Sequence, residues 1–67
     1  MAVIKIIELI GTSAVSWEDA VEHALTEAGK TIRNITGVDV VGWKAEVKDG
    51  KIVEYKANVK IAFTVER

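Results

Sequence analysis

Few residues in this chain could do chemistry: one histidine, two tryptophans, two adjacent carboxylates and a short run of hydroxyls. With no cysteine there is neither thiolate catalysis nor a disulfide framework. His23 falls on a predicted helix, off its apolar stripe and beside Glu22, where it reads as a solvated residue. Ser13 and Ser16 precede that helix, and hydroxyls there usually cap backbone N–H groups rather than form a nucleophile–base pair. The five glycines, Gly11, Gly29, Gly37, Gly42 and Gly50, form neither a phosphate loop nor a dinucleotide fingerprint. A non-enzymatic protein is expected. Glu18 and Asp19, next to the Thr12 to Ser16 loop, offer oxygens of the kind a hard cation takes. Carboxylates in a first helical turn equally serve the helix dipole with no ion present, so both readings stand. Trp17 and Trp43 are the only large flat surfaces, available as core, as interface or as a stacking platform for a planar ligand.

The elements that must position these groups follow from periodicity. Val3 to Ile10 is a Val/Ile-rich strand with apolar residues on both faces, expected to stop at Gly11. Ser16 is the predicted N-cap, with Asp19 completing a capping box. Trp17, Val21, Ala24, Ala28 and Ile32, widened by Ala20 and Leu25, make one apolar stripe over a helix of about 18 residues, some 27 Å. Asn34 or Gly37 is expected to supply the left-handed residue that ends it. Val38 to Lys48 is a second strand. Val41, Trp43, Ala45 and Val47 share one parity there, while Val38 and Val40 hold the other, which predicts a bulge or sharp twist around Val40 to Gly42. Asp49-Gly50 is a type I′ hairpin signal, and a third strand alternates from Val53 to Val65. The expected class is α+β, a single domain over 1–67 of order β-α-β-β. Its three-stranded antiparallel sheet wraps on one helix; the sequence leaves the strand order open, although a right-handed crossover favours the third strand lying between the other two.

Composition bounds the function. Nine basic against ten acidic residues leave a net charge of -1, which argues against nucleic acid and anionic membranes as partners. Lys5 and Glu8 interrupt the N-terminal apolar run, so it is neither a leader nor a span, and the absence of cysteine fits a cytoplasmic protein. Hydrophobic residues make up 49% of a chain too short to bury them alone, which predicts an obligate homo-oligomer.

The run from Val3 to Ser13 (VIKIIELIGTS), then Ser16-Trp17-Glu18-Asp19-Ala20, Thr31-Ile32-Arg33-Asn34-Ile35, Asp49-Gly50-Lys51-Ile52, Tyr55 and Val59-Lys60-Ile61-Ala62-Phe63, resembles the dodecin family over the whole chain. The resemblance implies a hollow homododecamer with its helices outside. It also implies storage or sequestration of a flavin (riboflavin, FMN or FAD) rather than catalysis. In that family a tryptophan opening the second strand stacks on the isoalloxazine, and a glutamine after the tyrosine of the third strand bonds the ring edge. The matching positions here are Gly37 and Lys56, so this sequence departs at both. Trp43, six strand residues or about 20 Å further on, remains as the candidate flavin contact. Ser16-Trp17-Glu18 is similar to the helix opening of a calcium-binding dodecin subgroup, and this keeps Glu18 and Asp19 as candidate calcium ligands. The alternatives to a flavin store are therefore a calcium-like cation-binding or ligand-free dodecameric cage, and a structural interaction module.

Overall fold

The computed structural model describes residues 2–65. Strand β1 (Val3–Ser13), helix α1 (Trp17–Gly29), strand β2 (Ile35–Lys48) and strand β3 (Lys51–Val65) follow in chain order. The sheet order is β1-β3-β2, with both neighbouring pairs antiparallel, so the third strand is central, the order that a right-handed crossover favours. Asp49 (φ 53) and Gly50 (φ 76) both take positive φ between the paired residues Lys48 and Lys51, which makes the expected two-residue type I′ turn.

Of the bulge or sharp twist expected around Val40 to Gly42, the strand makes a bulge. The β2–β3 register shifts between Val40 and Gly42, so Val38 opposite Ile61, Val40 opposite Val59 and Trp43 opposite Ala57 all face the helix. Further shifts occur between Ile35 and Gly37 and between Glu46 and Val47. On the helix side, Ala20, Ala24 and Ala28 pack on Ala57, Val59 and Ile61, with Ile7, Leu9, Val21, Leu25, Ile32, Ile35 and Val40 around them. Alanine at every seam position brings the helix axis close to the strands.

Gly11 completes that approach. A Cβ there would run into the carbonyl oxygen of Ala20 and lie 3.0 Å from both the Ala20 carbonyl carbon and Ala24 Cβ. For this reason β1 does not stop at Gly11 as expected but passes beneath the helix to Ser13. The helix is shorter than expected, 13 residues instead of about 18. Thr64 N–H donates to Asn34 O at 3.1 Å, so the chain has already joined the sheet at Asn34 and must leave helical geometry before it. Asn34 takes the left-handed conformation (φ 63) in the connection, not at the helix end, while Gly37 lies within β2.

The result is a slab of 51 × 20 × 12 Å with a Cα radius of gyration of 13.7 Å, against about 11 Å for a compact chain of this length. One face carries the helix. The open face leaves Ile4, Ile6 and Ile10 of edge strand β1 largely exposed. Asn58 lies on that face between Ile10 and Gly42, and its Oδ1 is buried without a hydrogen-bond partner.

Candidate functional site

The sequence candidates fall into three places. The first is an aromatic corner on the helix side. Trp17 opens α1, and its indole N–H donates to Lys44 O on β2 at 2.8 Å. That bond holds the ring against Tyr55, with centroids 4.8 Å apart and planes at 76°. Trp43 meets the same ring edge-on at 6.4 Å and 85°. Such edge-to-face pairs are favourable beyond the area they bury. Trp17 and Tyr55 are half-buried, whereas Trp43 is 53% exposed and presents indole surface to the outside. The expectation of Trp17 as part of the helix's apolar stripe needs refinement, because it closes the end of the core and fixes the Trp43 environment.

The second place is the pair of positions at which the resemblance puts flavin contacts. Gly37 lies opposite Ala62, and Lys56 lies opposite Thr12 and Lys44, so both are on the open face, across the sheet from Trp43. A Cβ on Gly37 would meet nothing within 4 Å. Lys56 Nζ is drawn to Glu54 Oε1 at 3.9 Å and to Glu46 Oε1 at 4.0 Å. The positions matching 37 and 56 project about six residues, roughly 20 Å, apart along β3. No single ring could touch both within one chain. Trp17, Trp43, Tyr55 and Phe63 all lie on the helix side, so the open face offers a flavin no stacking partner among the described residues.

The third place is the start of the helix. Ser16 is the N-cap, with its Oγ accepting from Asp19 N–H at 3.0 Å as expected. The reciprocal half of the capping box is absent. Ser16 N–H points to Ser13 Oγ at 3.4 Å, and the Asp19 carboxylate turns instead to Ser13 Oγ–H at 2.6 Å and to His23 Nε2 at 3.3 Å. Ser13, only 5% exposed, also accepts from Val15 N–H at 2.9 Å. Its hydroxyl is therefore a capping group, as read from the sequence. His23 is exposed but not free in solvent, since its Nδ1 lies 2.9 Å from Thr12 O. The signal for this was present in the four-residue spacing of Asp19 and His23, which stacks the two on one helix face.

Glu18 is exposed and Asp19 half-buried, and one oxygen of Asp19 is already engaged. A calcium ion takes six to eight oxygens. Among the described residues no group of three or more metal-ligating side chains converges, so Glu18 and Asp19 alone do not make a calcium site within one chain. Beside this cluster, an open groove of about 520 Å³ runs between the β1 edge and α1, reached by Thr12, His23, Thr26 and Glu27. A hydrogen bond from Lys30, reinforced by its charge, holds the Glu27 carboxyl below its usual value.

Comparison with known proteins is consistent across the chain. Residues 3–66 match the family model for Dodecin. A dodecin of Thermus thermophilus is 31% identical over 64 residues, covering 96% of this chain and 93% of that protein. The crystal structure of a tryptophan-to-phenylalanine variant of the T. thermophilus protein superposes with a TM-score of 0.96 at 30% identity, covering 100% of both chains. The calcium dodecin of Mycobacterium tuberculosis, described as a calcium-chelating antigen with a novel calcium-binding site, matches at 32% identity. Its TM-score is 0.83, over 96% of this chain and 91% of that one.

Proposed function

Since this chain belongs to the dodecin family, a family of small binding proteins, we propose that it is a self-assembling, cytoplasmic homo-oligomer of dodecameric type that sequesters a flavin-class planar ligand without turning it over. Two features support assembly. Ile4, Ile6 and Ile10 stand exposed on the open face, and Asn58 Oδ1 is buried there with no partner. An apolar patch of this kind, with a buried unpartnered amide oxygen in it, on so small a chain is completed by another copy.

The observation that carries the ligand reading is Trp43. Its ring is half-exposed in a corner whose neighbour Trp17 is pinned by the bond to Lys44 O, so a stacking surface is held in place before any ligand arrives. Preorganisation of that kind lowers the cost of binding. With Gly37 and Lys56 unable to act as the resemblance would have the family's tryptophan and glutamine do, the planar ligand lies at Trp43 on the helix side. One face-on contact there contributes about 1 kcal/mol, which corresponds to modest affinity. The open face keeps its assembly role.

The test is a riboflavin fluorescence titration against size-selected, assembled protein. Saturable quenching that Trp43→Ala abolishes, with elution volume unchanged, is the expected result. Quenching absent at micromolar protein overturns the flavin reading and leaves a ligand-free or cation-binding cage. Quenching that survives in Trp43→Ala moves the site elsewhere. A smaller or polydisperse species in light scattering would instead favour a structural interaction module working through its sheet edge.

A further inference from the structure

The open face of the sheet carries its charges in rows on either side of a polar atom that has no partner. Asn58 is flanked across the sheet by Ile10 and Gly42, and its Oδ1 is buried without a hydrogen bond among the described residues. A buried acceptor left unpaired costs stability, and neither isoleucine nor glycine has a side-chain donor to offer it. About 7 Å along the strands to one side lies the row of Thr12, Lys56 and Lys44, and about 7 Å to the other lies the row of Glu8, Lys60 and Asp39. The first row carries two positive charges and the second a net negative one. Lys44, Asp39 and Glu8 are exposed and, among the described residues, make no ion pair within their own chain. A surface with positive charge on one side of a central amide and negative charge on the other complements itself when turned end over end.

We propose that the open face docks on the open face of a second copy across a two-fold axis running along the row of Ile10, Asn58 and Gly42, with the two Asn58 carboxamides hydrogen-bonded to each other.

The axis rests on the reading of the open face as an assembly contact, and it adds a register and a contact residue. Residues on the axis meet their own counterparts, as in any isologous contact. A turn about χ2, a soft torsion, brings each carboxamide out from its sheet, and each Nδ2–H then donates to the Oδ1 of the other copy. The dimensions agree. Facing sheets pack about 10 Å apart and an N–H···O bond spans about 2.9 Å, which leaves about 3.5 Å for each side chain, the reach of an asparagine. Ile10, 58% exposed, packs on its counterpart, and Gly42 leaves the space in which the amides turn, since even a Cβ there would meet nothing within 4 Å. About this axis Lys44 lies over Asp39 of the second copy and Thr12 over Glu8. Lys56 falls over Lys60, but each keeps carboxylates of its own chain close by: Glu46 and Glu54 near Lys56, and Glu8 and Asp39 on the strands flanking Lys60. A buried amide pair stabilises less than apolar residues would and in return fixes one register, as a polar residue does in a coiled-coil seam.

The experiment is sedimentation and light scattering of full-length chains carrying Asn58→Asp or Asn58→Lys, alone and mixed, with circular dichroism to check that each folds. Alone, each variant places two like charges on the axis and should weaken assembly at least about ten-fold. Mixed in equal amounts, the two bring opposite charges together and should recover particles of wild-type size. Variants that dissociate alone and stay apart when mixed overturn the axis and leave the open face as the contact surface. If either variant assembles alone as the wild type does, the axis is also overturned, and Ile6→Lys with Ile10→Lys then tells whether the open face is a contact at all. Should a variant at position 58 fail to fold, Lys44→Asp and Asp39→Lys decide. Each alone should weaken assembly and the two in one chain should restore it, because within their own chain these residues lie two rows, about 14 Å, apart. No restoration overturns the axis.

Discussion

Gly11→Ala tests the reasoning about how the helix is seated. The added methyl would run into Ala20 O and lie 3.0 Å from two further atoms, the Ala20 carbonyl carbon and Ala24 Cβ. Carbon atoms rest at about 3.5–4.0 Å and the Ala20 oxygen stands closer still, so relief requires the helix to retreat by about 1 Å or more. The nearest obstacle is backbone, so no side-chain rotamer can absorb the change. A retreat of that size forfeits about half of the dispersion energy at each affected contact along Ala20, Ala24 and Ala28. Overpacking of this kind costs about 1–3 kcal/mol, and the reduced freedom of the unfolded chain returns about 0.4–1 kcal/mol. The net expectation is a loss of about 1–2 kcal/mol, or roughly 4–16 °C in Tm for a chain of this size. The assay is thermal and guanidinium unfolding at one fixed protein concentration, because assembly makes apparent stability concentration-dependent. Gly29→Ala is the internal control. It sits in the same helix with nothing within 4 Å of its added Cβ, and should gain up to about 1 kcal/mol. A Gly11→Ala protein as stable as the wild type, or two variants that shift alike, would refute the close-approach account.

Two other expectations concern assembly and ligand. Ile6→Lys with Ile10→Lys places two charges on the open face and should reduce the assembled species to small oligomers or monomer while circular dichroism keeps its α+β signature. Light scattering that still reports full-size particles would mean that the open face is not the contact surface. Gly37→Trp with Lys56→Gln restores on the open face the two residue types that the resemblance implies, with space for the indole at position 37. Riboflavin affinity should rise roughly three- to ten-fold in intact assemblies, from about 0.5–1.5 kcal/mol of stacking, and no rise would place the error in the alignment of those positions.

Backbone patterning was legible in this sequence wherever one residue decided a geometry. The switch of apolar parity from Val38 and Val40 to Trp43 and Ala45 located the bulge, because a strand can keep both sets on one face only by inserting a residue. Asp49-Gly50 located the hairpin for a similar reason. Contact-driven features were not legible. Gly11 looked like a strand terminator and proved to be a cleft for a helix carbonyl, a role visible only once the helix is laid on the strand. Ile32 kept the helical spacing although the helix had ended, because it packs on the core from the connection. At the candidate sites, the exposure of Trp43 could be foreseen from neither its parity nor its spacing, since it depends on Trp43 lying at the helix start, beside Trp17, where the helix ceases to cover the sheet. The turning of Asp19 toward Ser13 and His23 was hidden by the more familiar capping box.

The strand order has a consequence for when the surface of the protein comes into being. β2 and β3 close through a two-residue turn, so their long ladder can zip from Lys48 and Lys51 outward without waiting for the rest of the chain. β1 pairs Val3 with Val65 and must close almost the whole chain to do so, a slow and entropically costly event. The isoleucine-bearing edge is thus the last part of the sheet to become ordered. β1 finds its partner strand only once β3 has been made, so the exposed isoleucines take their place on the open face only in a chain that extends through β3.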